Sequence, residues 1–227
     1  IGETLPPRAQ PLLAALGLPT QLQDDGHIAA PGIVAAWGDA RPRCNDFVVN
    51  PHGHGWHLDR PRFDRMLAAH ARNCGVTVHE QTVVAACEPY DDGWRIGLQD
   101  AAGAATMACR FAVDASGRRA SPLKRRAGRR ILHDRLVGIA AFTPDAPHAD
   151  RRTLIESAAD GWWYSTPLPG GRHVAVYMTD ADTINLRYGD LGGFLALLGD
   201  LRKSEVYALG RHLNDTVFGR AVIPEGI

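Results

Sequence analysis

The sequence predicts an α/β chain, α+β overall, in which an open sheet carries an antiparallel β excursion and leads into a second domain built mainly of strands. Three observations predict it. Apolar residues recur at helical spacing over residues 59–74, and after Gly75 the period drops from about 3.6 to about 2. Four short segments of that second period then follow one another up to Val113. A further strand-like stretch runs from residue 136 to 179, broken by Pro169-Gly170-Gly171-Arg172, a sequence suited to a hairpin turn. The expected division is residues 1–130 for the first domain and 131–227 for the second.

Taken in order, residues 9–18 place Leu12, Leu13 and Leu16 near helical spacing and stop at Gly17-Leu18-Pro19. Residues 24–51 are rich in Gly, Pro, Asp and Asn, with apolar groups at Ile33-Val34 and Phe47-Val48-Val49, which predicts short strands joined by loops. The helix over 59–74 opens with Asp59 as N-cap and Pro61 in the first turn, puts Phe63, Met66, Leu67 and Ala71 on one face, and ends at Asn73-Cys74-Gly75. Strands are then expected over residues 76–79, 82–89, 93–98 and 105–113, and in the second domain over 136–142, 153–158, 161–168 and 173–179. Helices are expected over 191–201 and 204–213.

Charge excludes one class of partner. The 25 basic and 25 acidic residues cancel, so the local run Arg118-Arg119, Lys124-Arg125-Arg126 and Arg129-Arg130 reads as a solvated face and nucleic acid is not expected. Cys44, Cys74, Cys87 and Cys109 form no CxxC pair, which argues against a zinc knuckle or a redox dithiol and leaves reduced structural thiols. No apolar run reaches the roughly 20 residues of a membrane span, and the first residues do not form a secretion signal. A cytoplasmic protein with no membrane partner is the expectation, and the loop-like start without Met predicts that a parent protein continues upstream.

Candidate chemistry concentrates in four places. Phe111-Ala112-Val113-Asp114-Ala115-Ser116-Gly117-Arg118 reads as an apolar strand ending in a tight acidic turn, the corner at which open α/β sheets bind ligands; Asp114 serves equally to close a turn through its own side chain. Arg60, at the start of a helix, can offer several donors to a diphosphate or pair with Asp59 or Asp64. Trp162, Trp163 and Tyr164 must alternate between the faces of one strand, either packing a sheet core or covering a ligand. His52, His54 and His57 offer proton donors and acceptors near neutral pH, or metal ligands, although the glycines between them favour a solvated loop; no base and no metal are assigned.

Read together, Gly2-Glu3, Leu5-Pro6, Leu16-Gly17-Leu18, Trp37-Gly38, the stretch from Trp56 to Leu67 with Arg60, Phe63, Asp64 and Leu67 in an Arg-x-x-Phe-Asp-x-x-Leu pattern, and Asp114-Ala115-Ser116-Gly117 resemble the ordered motifs of the FAD-dependent monooxygenases and the tryptophan halogenase-like flavoproteins. Gly161-Trp162-Trp163-Tyr164-Ser165-Thr166-Pro167 is similar to that family's Gly-Trp-x-Trp-x-x-Pro motif, with Tyr164 in place of the second Trp. The resemblance implies the p-hydroxybenzoate hydroxylase fold: a partial FAD/NAD(P)-binding Rossmann-like domain with an antiparallel excursion, then a β-sheet substrate domain with C-terminal helices. It implies FAD contacts at Glu3, Arg60, Val84, Asp114, Ala115 and Gly117, and a substrate lining of Trp162, Trp163 and Tyr164.

Two departures from the family pattern shape the functional expectation. A Gly-x-Gly-x-x-Gly turn, whose amides hold a pyrophosphate at a helix start, and the family's Gly-Asp-Ala segment after the Asp114 turn are both missing from these 227 residues. The lysine that halogenases carry before the Trp-Gly pair is missing too: Gly26-His27-Ile28-Ala29-Ala30-Pro31-Gly32-Ile33 contains none. The expected activity is therefore monooxygenase-like oxidation of an aromatic or electron-rich substrate, small or carried on a peptide or carrier protein. NAD(P)H or a separate flavin reductase would supply the electrons. The rival expectation is a catalytically inactive flavoprotein remnant that acts as a binding module.

Overall fold

The computed structural model describes residues 4–18, 21–38, 41–117, 133, 135–144 and 150–183. Packing divides the chain into two units, one of Ile1–Leu67 with Asp134–Ile227 and one of Ala68–His133.

The first unit opens with β1 (Thr4–Leu5), a 3-10 turn at Pro7–Ala9, α1 (Gln10–Ala15) and α2 (Gln21–Asp24). Strands β2 (Ile28–Ala30), β3 (Gly32–Ala36), β4 (Arg43–Asp46) and β5 (Gly55–His57) follow, and then α3 (Arg60–Asn73) begins. Strands β1, β5 and β2 form a small antiparallel sheet. The apolar spacing of α1 and α3 has its use here: Leu13, Leu18, Leu22, Trp56, Leu58 and Phe63 form one buried cluster, joined by Leu5, Met66 and Leu67. Asp59 caps α3 as expected, its carboxylate accepting the Arg62 amide at 3.1 Å.

The second unit holds the end of α3, where the Gly75 and Val76 amides donate to the Arg72 and Ala71 carbonyls, closing the helix at the predicted glycine. It continues as the meander β6 (Val83–Tyr90), β7 (Gly93–Asp100) and β8 (Gly103–Cys109), with a register shift between Val84 and Ala86. This is the antiparallel excursion.

The first unit resumes with β9 (Leu136–Pro144), β10 (Thr153–Ala158), β11 (Gly161–Leu168) and β12 (Arg172–Asp180). They form a six-stranded sheet in the order β4-β3-β10-β11-β12-β9, antiparallel except where β10 runs parallel to β3. The β11–β12 hairpin turns at Gly170 and Gly171, whose φ angles of 79° and 63° are left-handed. Gly161 is equally constrained, since a side chain there would run into the Met178 carbonyl.

Several expectations are corrected. Phe47–Val49 is a 3-10 turn, closed by the Asn50 amide on the Phe47 carbonyl, with Val48 and Val49 exposed. Residues 76–79 lie in no strand, because no neighbouring ladder takes up their backbone. Strand β8 stops at Cys109, so Phe111 and Val113, at 85% and 90% exposure, belong to no sheet among the described residues. The large sheet takes in β3 and β4 from the first 50 residues beside β9 to β12. The 130/131 boundary itself, the basic run at 124–130 and the helices expected at 191–201 and 204–213 lie outside the described residues.

Candidate functional site

The alternation of β11 sorts its three aromatics. Trp163 faces one side, 1% exposed, directly opposite Glu156 on β10 and Tyr177 on β12, with the Tyr177 ring centroid 4.7 Å away. Trp162 and Tyr164 face the other side and are half-buried. The three therefore do not line one surface. Trp163 is a core side chain, and only Trp162 and Tyr164 are brought together on a face.

That second face is polar at its middle. His57, fully buried, sets Nε2 2.6 Å from the Arg151 carbonyl and Nδ1 2.8 Å from the Thr166 hydroxyl and 3.3 Å from the Thr4 hydroxyl. Thr4 Oγ1 lies 2.7 Å from the Tyr164 phenol, and Thr153 Oγ1 lies 3.4 Å from Thr166 Oγ1. Strand β5 delivers His57, β1 Thr4, β10 Thr153 and β11 both Thr166 and Tyr164. Burial lowers the His57 pKa below 6.5, against the raising effect of its bond to the Arg151 carbonyl. The imidazole is thus neutral at neutral pH.

At one end of this face Trp37, 59% exposed just past β3, tilts against Trp162 at 6.2 Å and 59°. Ser157 fixes the turn there, accepting the Gly38 amide at 3.1 Å and donating to the Ala36 carbonyl at 3.4 Å. On the opposite face burial alone raises the Glu156 pKa above 4.5.

The remaining expected site residues are more open. Glu3 lies outside the described residues. Arg60, in the first turn of α3, pairs with Asp64 at 2.8 Å, both side chains being about half exposed. In the second unit Val84 is exposed on β6. Asp114 accepts the Ser116 amide at 2.9 Å, Ala115 is exposed, and Gly117 is left-handed at φ 64°. The three histidines part company: His52 is exposed, His54 lies edge-on to Trp56 at 4.7 Å, and His57 is buried. Among the described residues no group of three or more His, Cys, Asp or Glu side chains is placed to hold a metal, and no helix is long and apolar enough to cross a membrane.

The Asp114 corner gives a test of fit for a dinucleotide. Among the described residues nothing stands within 4 Å of the place a Gly117 side chain would occupy, so on that side the backbone of the turn is open to close approach. That arrangement fits one wall of a phosphate and ribityl chain, which needs close backbone approach and hydroxyl acceptors. Sequence reasoning did not find the Thr4–His57–Thr166 cluster, Glu156, or the contact of Trp37 with Trp162. No local pattern marks them.

A helix-backed small sheet, an antiparallel meander ahead of an Asp-x-x-Gly turn, and a large mixed sheet define an FAD-binding α/β fold. The tryptophan halogenase family model matches residues 21–183, and the chain belongs to that family of flavin-dependent proteins, whose cofactor is FAD. The chain is 29% identical over 153 residues, 66% of its length and 42% of the relative's, to the putative FAD-dependent oxidoreductase LodB of Marinomonas mediterranea. The structure of the myxobacterial chondrochloren halogenase CndH superimposes with a TM-score of 0.81 at 22% identity, over 96% of this chain and 52% of that one. The peptidyl tryptophan dihydroxylase QhpG superimposes with a TM-score of 0.63 at 25% identity, over 96% and 44%. The chain spans about two fifths of the length of the curated relatives it matches.

Proposed function

We propose that this chain is part of an FAD-dependent oxygenase that hydroxylates an aromatic ring carried on a peptide. The observation that carries this reading is the missing lysine. Halogenases of this type place one ahead of the Trp-Gly pair, whereas residues 21–38 contain none and the only lysines of the chain are Lys124 and Lys203. Similarity to the putative oxidoreductase LodB supports FAD-dependent oxidoreduction, and similarity to a peptidyl tryptophan dihydroxylase supports oxygen insertion on a peptide-borne substrate.

Bound FAD, reduced by NAD(P)H or by a separate flavin reductase, supplies the electrons that activate dioxygen. Asp114, Ala115 and Gly117, with Val84 of the same unit, would hold the phosphate and ribityl portion. Arg60, released from Asp64, would neutralise diphosphate charge. Trp162 and Tyr164 would orient the substrate ring, and the buried sheet beneath them excludes water from that side.

The full-length gene product is expected to purify with a flavin absorption band or to gain one on addition of FAD. A colourless product that takes up no FAD would overturn the enzyme reading in favour of a binding module.

A further inference from the structure

The turn between α2 and β2 is clamped to the start of α3 by two hydrogen bonds that run in opposite senses. Arg62 Nη1 donates to the Asp25 carbonyl at 2.6 Å, and the Asp59 amide donates to His27 Nδ1 at 3.2 Å. Gly26 permits the close approach: it is left-handed at φ 74°, and a side chain there would stand 3.2 Å from the Arg62 guanidinium. The second bond fixes a tautomer. A backbone amide only donates, so Nδ1 carries no proton and the neutral ring holds its hydrogen on Nε2. His27 is 4% exposed, its ring meets Phe63 edge-on at 6.0 Å, and Nε2 has no hydrogen-bond partner among the described residues. The Asp59 amide is therefore what holds the ring by hydrogen bonding.

The two bonds respond differently to acid. A guanidinium stays charged throughout, so the Arg62 bond persists. Protonating His27 puts a hydrogen on Nδ1, and two donors then face each other across the former bond. A hydroxyl partner could turn and accept; a backbone amide cannot. Burial lowers the pKa of the ring below 6.5. The charges that bear on it are Asp25 and Asp59, which favour the cation, and Arg62, which opposes it. Asp59 also faces the β11–β12 turn, its Oδ2 lying 3.4 Å from Arg172. A cation at this place meets the positive end of the α3 dipole as well.

We infer that His27 is an acid-sensitive latch: neutral, it holds the start of α3 through the Asp59 amide, and protonated, it releases that turn and loosens the seat of Arg60. His27 acts on the flavin only through α3 and is a positioning residue. Its consequence for the flavin rests on the diphosphate role proposed for Arg60; the latch itself does not.

Two measurements on the full-length protein test this. The first is hydrogen–deuterium exchange of the Asp59 amide, corrected for intrinsic pH dependence, with the Leu67 amide further along α3 as reference. Protection of Asp59 relative to Leu67 should fall roughly fivefold to tenfold between about pH 7.5 and about pH 5, the effect of losing about one hydrogen bond. His27→Asn keeps an acceptor oxygen near the place of Nδ1 that takes up no proton, so its Asp59 protection should stay level over that range. Wild-type protection that is unchanged or higher at the lower pH, as it would be if Asp25 or Asp59 captured the imidazolium, would overturn the latch. An equal fall in His27→Asn would do the same.

The second measurement is the rate of FAD loss on dilution. It should rise several-fold over the same range in the wild type and stay level in His27→Asn. No rise, or a rise of the same size in both proteins, would overturn the link from His27 to the flavin. A protein that retains no FAD at any pH would instead defeat the proposed function, and the exchange result would still decide the latch.

Discussion

The large sheet around Trp163 and His57, which lie on its two faces, and the turn around Asp114 are built on opposite principles. In the first, buried side chains from separate strands meet, Trp163, Glu156 and Tyr177 on one face and His57, Thr153 and Thr166 on the other, so each position is fixed by neighbours distant in sequence. In the second, local geometry is prominent: Asp114 accepts the Ser116 amide two residues on, and Gly117 supplies the left-handed residue. A buried, cross-linked site resists change, whereas an exposed, self-made turn can be altered at small cost in stability. Substitutions in the first should be read out as folding and in the second as ligand retention.

The largest effect that comparison predicts is Trp163→Ala. Removing a ring that packs on Tyr177 at 1% exposure should cost about 3–5 kcal/mol, visible as a large drop in the denaturant midpoint. A change below about 1 kcal/mol would mean that this face is not close-packed.

Glu156→Gln should act in the other direction, and with a pH signature. Burial raises the folded-state pKa of Glu156 above 4.5, so its contribution to stability is complete below that value and is lost as pH rises through the folded pKa. The amide removes the desolvation penalty, and the variant should be more stable than wild type at about pH 7.5 and closely matched to it at about pH 4. His57 and His27 have pKa values lowered by burial, so their stabilising effect is present above 6.5 and is lost on further acidification. A Glu156→Gln variant that gained stability on acidification between about pH 6 and pH 4.5 would contradict that sign.

The smallest effect on folding is expected at Asp114→Ala, where the local turn bond to Ser116 contributes about 1 kcal/mol, accompanied by a several-fold faster loss of FAD on dilution of the full-length protein. Unchanged retention would mean that the turn is structural only.

What was legible in the sequence follows the same division. The α3 boundaries could be read because Asp59, Pro61 and Gly75 act on their own neighbours, and the β11–β12 hairpin because Gly170 and Gly171 encode its turn. The Asp114 turn was legible for that reason too. The parallel pairing of Ile33 with Thr153 was not, since nothing local joins β3 to β10. Likewise His52, His54 and His57 look alike in the sequence, and only the fold makes one of them a buried acceptor facing Thr4 and Thr166. Phe47-Val48-Val49 reads as strand by composition, but its backbone finds no partner ladder and turns instead.

For a member of the tryptophan halogenase family without the expected lysine, the proposed reaction is oxygenation of the substrate. Its most direct test is the mass of the product formed by the full-length protein, with FAD and a reductant, under isotopically labelled dioxygen and with chloride and bromide present, on a tryptophan-containing peptide. Incorporation of labelled oxygen into the aromatic side chain with no halogen added is the predicted result. A halogenated product free of labelled oxygen would contradict the account.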